Sequence, residues 1–128
     1  MKYLIDTHTL LWSVGNNPKL SKKAKNHYLN PNNDIFLSIA SIWELSIKIG
    51  LQKLNLKLPL KEFVNIHILG NNIQILDIKL NHLYVIEKLP LHHRDPFDRL
   101  IVSQAIEENL PIIGMDEVFD NYEIKRIW

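Results

Sequence analysis

With 128 residues the chain suits one domain, 1–128, large enough to bury a single core without staples. Hydrophobic residues make up 46%, charged residues 23%, and the net charge is +1; that balance rules out nucleic-acid binding by bulk charge and leaves phosphate contacts to local patches. The absence of cysteine excludes disulfides, thiolate nucleophiles and cysteine-ligated zinc.

The first apolar stretch is interrupted by Asp6, and no small-residue cleavage site follows, so a signal peptide is not expected. No apolar run approaches the ~20 residues of a membrane span, and the expected location is cytoplasmic. Strand and helix patterns then alternate. KYLID (2–6) reads as a short buried strand, and THTLLWSVG (7–15) as a helix stopped by Gly15. SKKAKNHYL (21–29) is a helix with Ser21 at its N-cap. DIFLS (34–38) is a second strand, and SIWELSIKIG (41–50) a helix with Gly50 in the stop position. GLQKLNLKLPL (50–60) alternates leucine with polar residues; it reads as an extended loop or a small ribbon, with leucines that pack on the domain or form an apolar surface for a partner. LKEFVNIHIL (60–69) is helical up to Gly70, IQILDI (73–78) a third strand, and NHLYVIEKL (81–89) a helix ended by Pro90. DPFDRLIVSQAIEENL (95–110) is the longest helix, PIIGM (111–115) a fourth strand and EIKRIW (123–128) a fifth.

This alternation predicts an α/β fold in three layers, α/β/α, with a parallel sheet of four to five strands and helices on both faces. Right-handed crossovers start every helix at the edge where the strands end, and open α/β sheets place their ligands at that edge. Four acids fall there: Asp6 at the end of the first strand, Glu44 in the first turn of the 41–50 helix, Asp98 in the first turn of the longest helix, and Asp116 directly after the fourth strand. Each also has a purely structural explanation. Asp6 caps a helix, Ser41 and Glu44 fit the capping box S-x-x-E, Asp98 sits where the helix dipole favours an anion, and Asp116 begins a turn. Asp95 followed by Pro96 makes a helix cap. Together, however, crowded carboxylates repel, and burial penalises their charged forms. Such a cluster persists with raised pKa values or with a bound cation, and oxygen donors without cysteine suit Mg²⁺ or Mn²⁺. The matching chemistry is phosphodiester hydrolysis by activated water.

YLIDTHTLLW, SIASIWELSIKIG, HRDPFDRLIVSQA and PIIGMDEVFDNY, in that order and over essentially the whole chain, resemble PIN-domain proteins, specifically VapC-type toxin ribonucleases of type II toxin–antitoxin systems. The resemblance implies a PIN-like α/β/α fold and a metal-dependent endoribonuclease using Mg²⁺ or Mn²⁺. It also implies a VapB-type antitoxin partner and a homodimer, and it carries the catalytic and metal roles onto Asp6, Glu44, Asp98 and Asp116. DRLIVSQA puts the third acid on Asp98 rather than Asp95. Where the family often has two alanines after the isoleucine, this chain has Val102 and Ser103, a conservative departure.

Around the acids, Thr7, Ser38 and Ser41 are read as partners of the carboxylates or the substrate, or as helix caps. The chain has three arginines, and two of them, Arg94 and Arg99, flank the acids, where they contact RNA phosphates or offset the carboxylates. Lys19, Lys22, Lys23 and Lys25 read as a solvated helix face rather than a phosphate patch. Trp12 and Trp43 read as core. His8 is read as structural or exposed, and His92 and His93 as loop residues, because adjacent histidines with no spaced partner are a poor ligand pattern. His27, His67 and His82 have no assigned role. Two alternatives are a haloacid-dehalogenase-type phosphatase, whose second acid would fall on His8, and a non-catalytic PIN-like module that binds RNA or protein.

Overall fold

The computed structural model describes residues 1–128. Five strands, β1 (Lys2–Ile5), β2 (Asp34–Ser38), β3 (Gln74–Leu76), β4 (Ile112–Ile113) and β5 (Arg126–Ile127), form one sheet in the order β3-β2-β1-β4-β5. Every pairing is parallel, with Leu4 opposite Phe36 on one side and Ile112 on the other. The helices are α1 (Thr7–Val14), α2 (Lys22–Leu29), α3 (Ile39–Gly50), α4 (Leu60–Phe63), α5 (Leu80–Lys88) and α6 (Pro96–Glu107).

Side chains alternate across the sheet, as the period-2 geometry of a strand requires. Tyr3, Ile5, Ile35, Leu37 and Ile113 face one core, which holds Leu10 of α1, Ala24 of α2, Leu45 of α3 and Phe63 of α4. Leu4 and Ile112 face the other, against Ile101, Val102 and Ala105 of α6. The two cores make the three layers. Leu54, Leu56 and Leu58 pack against the first core, so the leucine-rich segment is a loop fastened to the domain rather than a ribbon.

Several boundaries differ from the sequence reading: β3 spans Gln74–Leu76 rather than 73–78, and the 95–110 helix runs Pro96–Glu107. The α3 helix starts at Ile39, capped by the Ser38 hydroxyl, which accepts from the Ala40 N–H at 3.0 Å. The 60–69 helix is broken: after α4 it widens to a π-turn (Val64–Ile68) and tightens to a 3₁₀ turn (Leu69–Asn71). Left-handed Asn72 (φ 59°), not Gly70, ends it. The last two strands have two residues each.

The strand order reverses between β1 and β4. Open α/β sheets place their ligands at such a reversal. Asp6 follows β1 and Asp116 follows β4, so two of the four acids flank it.

Candidate active site

Asp6 caps α1: its Oδ1 accepts from the Thr9 N–H at 2.8 Å. The residue is buried, and burial pushes its carboxyl up, against the hydrogen bonds from Thr9 that lower it. Capping leaves Oδ2 for other work. A Cβ at Gly114 would sit 3.0 Å from that oxygen and 3.2 Å from the Phe119 ring, so glycine at 114 is what leaves room beside the Asp6 carboxylate.

Glu44 lies in the second turn of α3, since the helix begins two residues earlier than expected, and no capping box forms with Ser41. Its Oε1 instead accepts from the Thr7 hydroxyl at 2.8 Å, and Oε2 pairs with Lys48 Nζ at 2.9 Å. Thr7 Oγ1 and Ser41 Oγ are 2.9 Å apart. A hydroxyl has one proton and the carboxylate has none, so Thr7 donates to Glu44 and Ser41 donates to Thr7. Both hydroxyls are buried and their protons are committed within the Glu44 network, a correction to their reading as substrate contacts.

Asp95 is the N-cap of α6, with Oδ1 accepting from Phe97 and Asp98 N–H at 2.8 and 3.3 Å and Pro96 at the first helical position. Asp98 follows one turn inward. Burial first, then the charges of Asp95, Glu44 and Asp6, raise its carboxyl to about 6, with His93 opposing. Asp116 caps the 3₁₀ turn Glu117–Asn121 through Oδ1, which accepts from the Val118 N–H at 3.0 Å. Burial pushes the Asp116 carboxyl up, but the hydrogen bonds from His93 and Val118 and the charges of His93 and Arg126 outweigh it and hold it below its ordinary value. Arg126 steadies the same turn, binding Asp120 at 2.9 and 3.0 Å and donating to the Gly114 and Met115 carbonyls.

The residue that sequence reasoning missed is His93. Its Nε2 lies 2.9 Å from Asp116 Oδ2, and its ring is buried. The ligand atoms that all approach within 4.8 Å of one another are those of His93, Asp98 and Asp116; Asp6 and Glu44 lie outside that group. The four expected acids are nonetheless electrostatically joined, since Glu44 and Asp6 act on Asp98, and Asp116 acts on Asp6. No signal in the HHRD dipeptide context marks His93, because its partners are 23 residues away at Asp116 and across the chain at Tyr122.

Arg99 is a second correction. Its guanidinium donates to the carbonyls of Ile86, Leu89, Pro90 and His93 at 3.2 to 3.4 Å. It ties the end of α5 to the loop before α6 and does not face a substrate. Arg94 is exposed on that loop. Trp43 is a third: it is 56% exposed, with its ring edge-to-face on Phe97 at 5.1 Å. Trp12 packs edge-to-face on Trp128 at 5.8 Å. Lys22, Lys23 and Lys25 are exposed on α2, as a solvated face requires. His8 and His92 are exposed.

The donors at the edge are carboxylates with one imidazole, and space is kept beside Asp6, so the residues fit a hard divalent cation. No helix is long and apolar enough to cross a membrane.

Comparison with curated sequences gave no significant match. Among solved structures, the fold is similar to that in VapBC2 from Rickettsia felis bound to a DNA fragment from its promoter, with TM-score 0.74 and 20% identity over 98% of this chain and 97% of that one. It is also similar to VapBC-1 from nontypeable Haemophilus influenzae, with TM-score 0.68 and 19% identity over 98% and 96%. For FitAcB from Neisseria gonorrhoeae the values are 0.67, 19%, 98% and 96%. The model of the PIN domain family matches residues 3–125, and the chain belongs to that family.

Proposed function

We propose that this PIN domain is a divalent-metal-dependent endoribonuclease of the VapC toxin type, acting in the cytoplasm and held in check by a VapB-type antitoxin. What supports the reading is the electrostatic coupling of acids from four separate elements, Glu44 and Asp6 acting on Asp98 and Asp116 acting on Asp6, at the edge where the strand order reverses. Mutual repulsion makes such a gathering costly unless a cation offsets it. The likeness to two VapBC structures supports the partner. A homodimer belongs to the same reading, and the exposed apolar stripe Trp43, Ile47 and Leu51 on α3 gives it surface.

Asp6, Glu44 and Asp98 would hold Mg²⁺ or Mn²⁺, with Asp116 bound directly or through water. The cation supplies a lowered pKa for water and neutralises charge at the phosphate. The protein's part is to aim the carboxylates. Thr7 and Lys48 fix Glu44 by hydrogen bonding and pairing. Thr9 aims Asp6. The Asp95 cap sets the entry of α6 and so the direction of Asp98. Arg94 is the exposed cation nearest in sequence to Asp95 and Asp98 and the candidate for a phosphate contact. No side-chain nucleophile is required, and the expected products carry 5′-phosphate and 3′-hydroxyl ends.

The test is cleavage of RNA by purified Asp6→Asn and Asp98→Asn proteins with Mg²⁺ or Mn²⁺. Losses beyond the ~100-fold upper end typical of outer-shell partners are expected for each. Full activity in both variants overturns the assignment.

A further inference from the structure

We propose that His93 is a nitrogen ligand of the cation site, so that with Asp98 and Asp116 it forms a mixed imidazole–carboxylate centre that favours Mn²⁺ over Mg²⁺. The proposal rests on reading the acidic edge as a cation site and adds a donor of a different chemical class.

The domain has two buried histidines, and they differ in one respect. His82 is fully buried with both ring nitrogens satisfied: Nδ1 accepts from the Lys79 N–H at 3.0 Å, and Nε2 meets Glu108 Oε1 at 2.9 Å. It caps α5 and fastens it to the end of α6, a structural task. His93 is 7% exposed, and its Nδ1 is buried with no hydrogen-bond partner. Either neutral tautomer leaves that nitrogen unsatisfied, at a cost of about 1–3 kcal/mol. With Nδ1 enclosed, Nε2 is the ring nitrogen that faces Asp116 and the one open to an ion.

The ring is held rigidly. It stacks on Tyr122 at 5.5 Å and 2° and lies 5.0 Å from Phe119, while its backbone N–H donates to the Tyr122 hydroxyl at 2.8 Å. This mounting carries Nε2 to 2.9 Å from Asp116 Oδ2, with a carboxylate oxygen of Asp98 inside the same 4.8 Å group. Adjacent ligands of a six-coordinate ion bound at ~2.1 Å are about 3 Å apart, and opposite ligands about 4 Å apart. The His93–Asp116 pair at 2.9 Å has the spacing of adjacent ligands, and Asp98 stays within 4.8 Å of both, close enough for one ion to draw the three together. Mg²⁺ prefers oxygen donors, whereas transition ions accept imidazole readily.

The test uses the full chain as wild type and as His93→Gln, which keeps an N–H donor for Asp116. Mn²⁺ is bound to each protein and examined by pulsed EPR for a directly coordinated nitrogen, and Mn²⁺ and Mg²⁺ affinities are measured by calorimetry. Expected is a ¹⁴N coupling in the wild type that becomes a ¹⁵N coupling when histidine is isotopically labelled, a control that needs no variant to fold. His93→Gln should abolish the coupling and weaken Mn²⁺ binding about 10-fold or more, with less than about a 3-fold change for Mg²⁺. Mn²⁺ bound without nitrogen coupling, or equal weakening for both ions, overturns the proposal and leaves His93 as the hydrogen-bond donor that positions Asp116. Nitrogen coupling in a protein that cleaves no RNA overturns the nuclease reading alone. Absence of Mn²⁺ binding overturns both.

Discussion

Asp98 sits at the third position of α6, and its carboxyl titrates near 6 because burial and the charges of Asp95, Glu44 and Asp6 penalise ionisation. In the unfolded chain it titrates near its ordinary 3.8. A carboxyl raised on folding stabilises the fold while it is protonated, and that contribution is lost as pH rises from about 4 through about 6. The difference corresponds to about 3 kcal/mol in full, and solvent screening at its exposed side reduces it to about 1–2. Asp98→Asn, with chelator present, should therefore melt higher than the wild type at pH 7.5, and the gap should close towards pH 4. A lower melting point at pH 7.5 would mean that the favourable anion at the helix start outweighs the crowding. Asp98 was legible in the sequence because DPFD is a local helix-start pattern. His93 was not, because what makes it a donor is where Tyr122 and Asp116 place it, and adjacency of two histidines in a loop carries none of that.

Elements were legible to the extent that their pattern is local. Strand β2 and the caps at Ser21 and Asp95 follow directly from residue type. The α3 helix was read over 41–50, but its start at Ile39 was not, for a physical reason: its inward face is Ala40, Ser41, Glu44 and Leu45, the spacing of a buried helical stripe with two polar members. The site occupies positions that an ordinary core helix fills with apolar residues, so Trp43 and Ile47 are turned outwards. Between α5 and α6 the joint is Arg99, and here the phosphate reading and the structural one separate cleanly. Arg99→Ala removes the donor shared by four carbonyls and should cost about 2–3 kcal/mol, since hydrogen bonds to charged groups are the stronger ones. Amide exchange should rise from Leu89 to Arg94. Arg99→Lys should restore little, because a point charge does not reproduce the planar fork. An unchanged melting point with a raised KM for RNA would return Arg99 to the substrate.

For the whole molecule, a parallel α/β/α architecture was foreseeable from alternation, but the strand order was not. Strands of two or three residues such as β3, β4 and β5 carry no pattern that says which side of β1 they join. The order decides which acids meet, since β4 beside β1 is what brings Asp116 to Asp6. One consequence is mechanical. A cation at this edge would bind groups from the ends of β1 and β4 and from α3 and α6 at once, and none of these groups is gathered in the unfolded chain. Binding to the native state alone then adds stability in proportion to the logarithm of saturation, about 2.7 kcal/mol at a concentration 100 times Kd. The cation must also displace the proton that Asp98 holds below about pH 6. Saturating Mn²⁺ should accordingly raise the melting temperature by several degrees at pH 8, and by markedly less at pH 5. Asp98→Asn should lose most of the rise at pH 8, although without metal it starts from the more stable fold. An equal rise at both pH values would place the ion away from Asp98, and no rise at either would mean that the four elements meet for a purpose other than holding a cation.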